Sequence, residues 1–598
     1  MNLLTLTVST GAILTTAYFT YGRWVAKKLE LRDDVPTPAC EINDGEDFVP
    51  TSAPYLFSQH FSAIAAAGPI VGPILAGIWF GWLPAVIWIL IGCIFIGSVH
   101  DITSLIASVR HKARSIAEVV RENMSRRSYL LFLTFVWIAL VYIIVAFTDL
   151  TAGTFAPTVP KATANATAEE LAKFDANVAK KLAEGAAAAS SSMMYLGLAI
   201  VMGFVLKYTK MSLNMATAIF MPLVLLTIWA GPMMPLTMPS LFGLTPTKTW
   251  DVLLLGYCFV ASIVPVWALL QPRGFLGGYF LTVTIAAAFL GIVVGSFFGG
   301  VPEVKYPAFT SFAPLNAQGV PMPIFPILFV TIACGACSGF HSIISSGTSS
   351  KQLRVESDAR PVAIGSMLLE GFVAVISLSC VMILNKSEAT GSPDQIFASG
   401  VSIFIARLAQ MANIEFDTAR AYLFNFSLLA FATFIYDTLD VCTRLGRYVL
   451  QEVSGWQTRT GRNVCTLITL LPPLYLVLQT MTDPATGAVV PAWKIFWTLF
   501  GTANQMLAAL TLLGVTVWLL RSGKTWWYTA VPAAFMIIVT MTSLGMFLFK
   551  WIKQLTSGGK FDPNGPLSSI LFALSILLVI EAVVVISRNL KERSLARN

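Results

Sequence analysis

Charge is what this chain has least of. Only 12% of its 598 residues are Asp, Glu, Lys or Arg, against about 25% in a soluble domain. With 56% hydrophobic residues and a mean hydropathy of +0.73, the composition excludes a soluble globular protein. It predicts an all-α polytopic membrane protein. A nucleotide-binding loop, an HExxH pair and a nucleophile elbow are also missing, so an ATP-driven pump or a membrane hydrolase has no sequence support. The eight cysteines lie mostly in apolar stretches and do not read as a secreted disulfide framework. The net charge of +8 gathers in short loops, as the positive-inside rule expects, and calls for no nucleic acid. The first apolar segment has no basic run before it and no small-residue cleavage pattern after it. It reads as a retained span, not a signal peptide.

Apolar segments are predicted at residues 3–21, 57–81, 83–107, 130–150, 193–209, 214–231, 250–270 and 275–298. Others follow around 331–346 and at 362–385, 420–442, 464–481, 493–520, 526–549 and 567–586. The densest basic loop holds Arg110, Lys112, Arg114, Arg121, Arg126 and Arg127, which fixes it as cytoplasmic and the N-terminus as outside. Residues 396–412 are apolar but short. If they crossed, Arg444, Arg447, Arg459 and Arg462 would fall outside, so we read them as re-entrant or interfacial. Lys550 and Lys553 break the rule. The C-terminus, with Arg588 and Lys591, is expected inside. The count is 15 crossings, within 15–18 transmembrane or re-entrant helices of one integral membrane domain, 1–598. Residues 151–190 read as an external loop bearing a surface helix at 168–186. The region 493–520 reads as one span, or as a re-entrant piece plus a span.

The stretch 57–81, FSQHFSAIAAAGPIVGPILAGIWFG, is broken by Gly68-Pro69 and Gly72-Pro73 just after Gln59 and His60. Proline removes a helix donor and clashes with the preceding turn. Backbone freed at membrane depth must be buried in protein or line a cavity, which is how many secondary transporters build a substrate site. The alternative is a merely kinked span, since Gly and Pro are ordinary in transmembrane helices.

Ionisable side chains inside spans are costly and mark functional candidates. Glu370, in MLLEGFVAVI, is the clearest and suits reversible protonation; the alternative is a structural acid bonded to serine or backbone. Asp437 and Asp440 end an apolar run and would pair with Arg444, either as a cytoplasmic gate or as a plain helix-end ion network. Asp101 lies near the inner interface. Cys334, Cys337 and His341 would share one helix face. Two thiolates and an imidazole suit a structural zinc, with Cys40 or Cys442 as a further ligand, although buried cysteines are common as small hydrophobes. No cofactor beyond such a zinc is called for. The same stretch, with Ser338, Gly335 and Gly339, also reads as substrate contact or as a packing seam. Asn504 and Gln505, just after Gly501, are further candidates.

Several separated motifs stand out in order: DGEDFVPT at 44–51, QHFSAIAAAGPIVGP at 59–73, VHDITSLIASVR at 99–110 and VWALLQPR at 266–273. TIACGACSGFHSIISSGTS at 331–349, MLLEG at 367–371, FIYDTLDVCTR at 434–444 and FGTANQMLAAL at 500–510 continue the series. Together they resemble the carbon starvation protein A family, and the resemblance spans nearly the whole chain. It implies a bacterial inner-membrane importer of peptides or of small carboxylates such as pyruvate, coupled to protons. It also implies a broken-helix, inverted-repeat core of the amino acid–polyamine–organocation type. His60, Gly68, Gly72, Asp101, Ser338, Glu370, Asp437, Asp440, Asn504 and Gln505 are the substrate or coupling candidates. Lipids and protons are the other expected partners. A channel or sensor, and a metalloprotein built on Cys334, Cys337 and His341, are the competing functions. By repeat spacing the partner of 57–81 is 250–270, with Pro265; by chemistry it is the Cys334–His341 segment.

Overall fold

The computed structural model describes the chain except residues 1, 46, 66, 159–167, 299, 301–302, 316–320, 483–488, 558–561 and 596–598, and the side chains of 168, 434 and 592–595. Position 46 of the 44–51 motif, position 66 of the first broken stretch and part of the expected external loop therefore lie outside the described residues. What is described is an all-α, multi-spanning bundle with interrupted helices; its few β-bridges are isolated. Helix starts are capped where the sequence supplies a hydroxyl. Ser115, Ser125 and Thr458 accept the backbone N–H groups of Glu118, Ser128 and Gly461 at 3.4, 3.0 and 3.1 Å, each satisfying one of the orphan donors of a first turn.

Among the described residues twelve helices are long and apolar enough to cross a membrane, or thirteen if the bent pair Ala53–Ile64 and Gly68–Phe80 counts as one span. The expected count of 15 also included two stretches that fall short of an uninterrupted span. One is the 18-residue helix Pro246–Ile263. The other is the pair Ile324–Thr331 and Gly339–Gly347. The region 493–520 is one continuous helix, Ala492–Arg521. It is buried along its whole apolar window, while Leu213–Met233 and Asn564–Lys591 lie at the periphery.

One sequence expectation changes, and a second is filled in. The surface helix expected at 168–186 is not separate: Ala168–Tyr208 is a single helix of 41 residues that runs on into the span. The intervening alanines and serines favour or tolerate helix and offer no Gly-Pro break. The segment 396–412 is a well-formed helix, Pro393–Met411, and its two ends face the same end of the bundle. Asp394 accepts a hydrogen bond from Thr154, beside the end of Arg126–Phe155, and Arg407 packs on Gly300, just beyond the end of Leu270–Phe298. Most of its residues up to Ala406 are buried among the neighbouring helices, so it is packed into the bundle without carrying the chain from one end to the other.

The polar segment after the first helix docks on the second broken region. Thr51 N–H donates to the Gln352 carbonyl at 2.9 Å, and Thr37 donates its hydroxyl proton to the Leu353 carbonyl at 2.5 Å. The helix Phe416–Ser454, 39 residues long, extends roughly 58 Å at 1.5 Å per residue. It outruns the hydrocarbon and carries Asp437 and Asp440 inside the bundle and Arg444 and Arg447 toward its end.

Candidate functional site

Two interrupted helices cross at their interruptions. The first bends by 44° between Ala53–Ile64 and Gly68–Phe80. The second is non-helical from Ile332 to Ser338, between Ile324–Thr331 and Gly339–Gly347. A Cβ on Gly72 would stand 2.5 Å from the Thr331 carbonyl oxygen, and one on Gly68 would overlap the Cys334 side chain. Gly335 in turn lies on Pro69 and Ala374. These glycines are required by close approach, since any side chain would separate the two breaks. Of the two proposed partners for 57–81, the Cys334–His341 segment is therefore the one that meets it.

The freed backbone is satisfied from the central helix Ala492–Arg521. Gln505 Nε2 donates to the Phe329 and Ile332 carbonyls at 2.7 and 3.4 Å, and Trp88 Nε1 also donates to Ile332 at 3.1 Å. Asn504 Oδ1 accepts the Phe340 N–H at 2.9 Å, and its Nδ2 donates to Ser338 Oγ at 3.0 Å. Asn504, Gln505 and Ser338 thus splint the break, replacing the helical hydrogen bonds it forfeits. Gly501 and Gly339 let the two half-helices sit directly on the central helix backbone. On the other side Gly92 and Gly97, bounding a π-helical turn, each approach Ala336 to 2.6 Å from where a Cβ would be. Wide turns of this kind are frequent at functional sites.

Beside the crossing runs a chain of fully buried ionisable groups. His100 Nδ1 lies 2.7 Å from Asp101 Oδ1, His341 Nδ1 lies 2.8 Å from Asp101 Oδ2, and His341 Nε2 lies 3.2 Å from Glu370 Oε2. Among the described residues neither Glu370 oxygen has an aligned hydrogen-bond donor. An imidazole between two carboxylates can take a proton at one nitrogen and release one at the other, so the geometry suits a relay from Glu370 through His341 to Asp101. His60 stands apart from it. Its Nδ1 lies 2.7 Å from Ser349 Oγ, and its Nε2 has no partner among the described residues. Gln59, His60, Ser349 and Asp437 line a cavity of about 10 Å³, barely enough for one water.

Asp437 and Asp440 do not pair with Arg444. Their cation is Arg273, 1% exposed, whose Nε lies 3.1 Å from Asp437 Oδ1 and whose Nη1 bonds Asp440. Ser62, on the first half-helix, donates to Asp437, and the Tyr257 hydroxyl donates to Asp440 at 2.6 Å. The Tyr436 ring lies 4.7 Å below the guanidinium. Arg444 instead donates to the carbonyls of Ala261 and Val264 at 2.8 and 2.5 Å, where Pro265 ends the helix Pro246–Ile263. Helical spacing favoured Arg444, but the exposed carbonyls before Pro265 claim it. Arg273 was missed as a site residue; an arginine inside the apolar run 266–298 was the signal.

The proposed metal set changes too. Its premise was one helix face, yet Cys334 and Cys337 lie in the non-helical stretch and His341 on the following helix. Cys334 faces Ser338 and Asn504, while His341 faces Asp101 and Glu370. Cys40 is exposed near the Arg354 carbonyl. Among the described residues no three His, Cys, Asp or Glu side chains are grouped to hold a metal ion.

At the end of the bundle that carries the basic loops, a vestibule of about 1080 Å³ opens beneath the crossing, lined by Ser346, Val264 and Arg447 among others.

The family profile described as carbon starvation protein CstA matches residues 2–398 and 387–543. A peptide transporter CstA from Bacillus subtilis is 29% identical over 98% of this chain and 97% of its own. One from Campylobacter jejuni is 31% identical over 90% of this chain and 79% of its own. A pyruvate/proton symporter from Escherichia coli is 30% identical over 93% of this chain and 83% of its own. Among solved structures, a mutant manganese transporter from Eremococcus coleocola aligns with a TM-score of 0.50 at 12% identity, over 92% of this chain and 99% of that one. That likeness concerns the fold alone.

Proposed function

Because the chain belongs to the carbon starvation protein CstA family, we propose that it is a proton-coupled secondary importer of peptides or small carboxylates such as pyruvate. It would work in the bacterial inner membrane with the N-terminus outside and the C-terminus in the cytoplasm. The observation that carries this reading is the crossing of two broken helices beside the relay Glu370–His341–Asp101. Broken helices meeting at mid-membrane supply backbone dipoles for a substrate carboxylate. Glu370, His341 and Asp101 supply a place for the coupling proton. His60, Ser338, Asp437 and Asp440 surround the same crossing and complete the substrate and coupling set; Asn504 and Gln505 hold its shape.

The two breaks also support an inverted-repeat core of the amino acid–polyamine–organocation type. If the peripheral pair 168–208 and 213–230 is set aside, the second broken segment comes five spans after the first, the spacing such repeats need. The helix 393–411 then lies between two core spans without crossing. The vestibule would be the cytoplasmic opening, by the sign of its loops.

Uptake into proteoliposomes tests the function. Labelled pyruvate, or a labelled dipeptide, should accumulate when the outside is made acidic and not when the gradient is collapsed. Failure of both substrates under both conditions would remove the importer reading.

A further inference from the structure

We propose that the vestibule contains a binding site for a small carboxylate anion, formed by Arg444, Arg447 and Arg462 and separate from the crossing of the broken helices. The inference deepens the importer reading by placing a second, peripheral station on the substrate's path, and it rests on that reading only for the identity of the passing solute.

The vestibule is rich in cations, and its carboxylates are already engaged. Glu118 holds Arg114 and Arg121 at 3.1 and 2.9 Å. Glu452 accepts from Ser115 and Tyr129, each at 3.0 Å. Asp47 accepts from Tyr448 at 3.2 Å. Arg444, Arg447 and Arg462 line the same cavity, and among the described residues none of them has a carboxylate within ion-pair reach. The Nε atoms of all three are buried without a hydrogen-bond partner among the described residues.

Arg447 is 3% exposed and Arg444 is 4% exposed. Arg447 feels Arg444 and Arg462 as like charges, with Asp47 as an opposing influence. A balance so positive and largely out of water is costly unless an anion joins it. Two of the three guanidinium groups are also held in place. Arg447 stacks at 4.5 Å on the Tyr448 ring, which carries Lys351 at 4.9 Å as well. Arg444 is tied to the Ala261 and Val264 carbonyls. Preset planar donors of this kind match a carboxylate bidentately. A zwitterionic peptide would bring its ammonium into the same positive field, so the site favours a net anion.

Binding to the purified full-length protein, measured calorimetrically without a proton gradient, tests the site. The probes are sodium pyruvate, inorganic phosphate and dialanine. The expected result is that Arg447→Gln and Arg462→Gln each weaken pyruvate binding by about tenfold or more, while Arg114→Gln, whose charge is already paired, leaves it unchanged. Dialanine should bind more weakly than pyruvate in the parent protein. Equal pyruvate affinity in the parent, Arg447→Gln and Arg462→Gln would overturn the site, as would phosphate binding without pyruvate binding. Should both variants fail to purify as monodisperse protein, the parent decides: affinity that falls as potassium chloride is raised supports the cluster, and salt-independent affinity overturns it. Arginine-dependent pyruvate binding without uptake in proteoliposomes would remove the importer reading and leave this site standing.

Discussion

Gly72 lies directly against the carbonyl oxygen of Thr331, 2.5 Å from where a Cβ would stand. That contact joins two helices more than 250 positions apart in sequence and sets how closely their breaks approach. The obstacle is backbone held by its own neighbours, so it cannot move aside as a flexible side chain would. Gly72→Val should destabilise the protein by about 1–3 kcal/mol, the usual cost of overpacking, or prevent its accumulation in the membrane. Gly153→Ala, where a Cβ meets open space, should be neutral. Thermal melting of the detergent-solubilised variants checks the contrast.

Arg273, not Arg444, carries the charge of Asp437 and Asp440. Removing one partner of a buried ion pair strands the others and costs about 3–5 kcal/mol. Arg273→Leu should therefore lower the melting temperature far more than Arg444→Leu, which forfeits bonds to neutral carbonyls and no direct ion pair. The reverse order would restore the pairing expected from helical spacing.

Glu370 ends the buried relay 3.2 Å from His341. Glu370→Gln keeps its shape and volume while removing the exchangeable proton. The variant should reach the membrane at parental levels, yet its uptake should no longer respond to an imposed proton gradient. His341→Asn should behave alike, because it interrupts the same chain between Glu370 and Asp101. Gradient-dependent uptake by either variant at the parental level would exclude the relay.

At the basic-loop end, Lys524 Nζ donates to Glu30 Oε2 at 2.9 Å and to the Leu29 carbonyl at 3.1 Å. That hydrogen bond and the Lys524 charge hold the Glu30 carboxyl below its ordinary range. A carboxyl lowered in the fold stabilises it above the unfolded-state pKa and loses that contribution as pH falls through the folded value. Lys524→Met should accordingly melt slightly below the parent at neutral pH, with the gap narrowing as the solution is acidified. Because Glu30 is exposed, the gap should also shrink in high salt.

Much of the site was legible one residue at a time. Gly68, Gly72, Glu370, Asn504 and Gln505 stand out because hydrocarbon tolerates few breaks and few polar groups, so each exception marks a special position. The pairings were not legible. Helical arithmetic put Arg444 on Asp440, along a helix that is continuous there, and placed Cys334, Cys337 and His341 on one face of a helix that is not. Pro265 had freed carbonyls that took Arg444, and the chain between Thr331 and Gly339 was not helical at all.

The sequence by itself determined that this is a multi-spanning helical membrane protein whose second segment is broken, because composition and proline act locally and need no partner. Gly68-Pro69 marks where that segment resumes after the break, whereas Gly72-Pro73, expected to break it too, is carried inside the helix Gly68–Phe80. Which second break meets the first, which cation answers Asp437 and Asp440, and which acids flank His341 were decided only by tertiary structure. Those are contacts between segments hundreds of residues apart, set by how closely glycine-bearing backbones pack and by which buried polar group reaches a partner first.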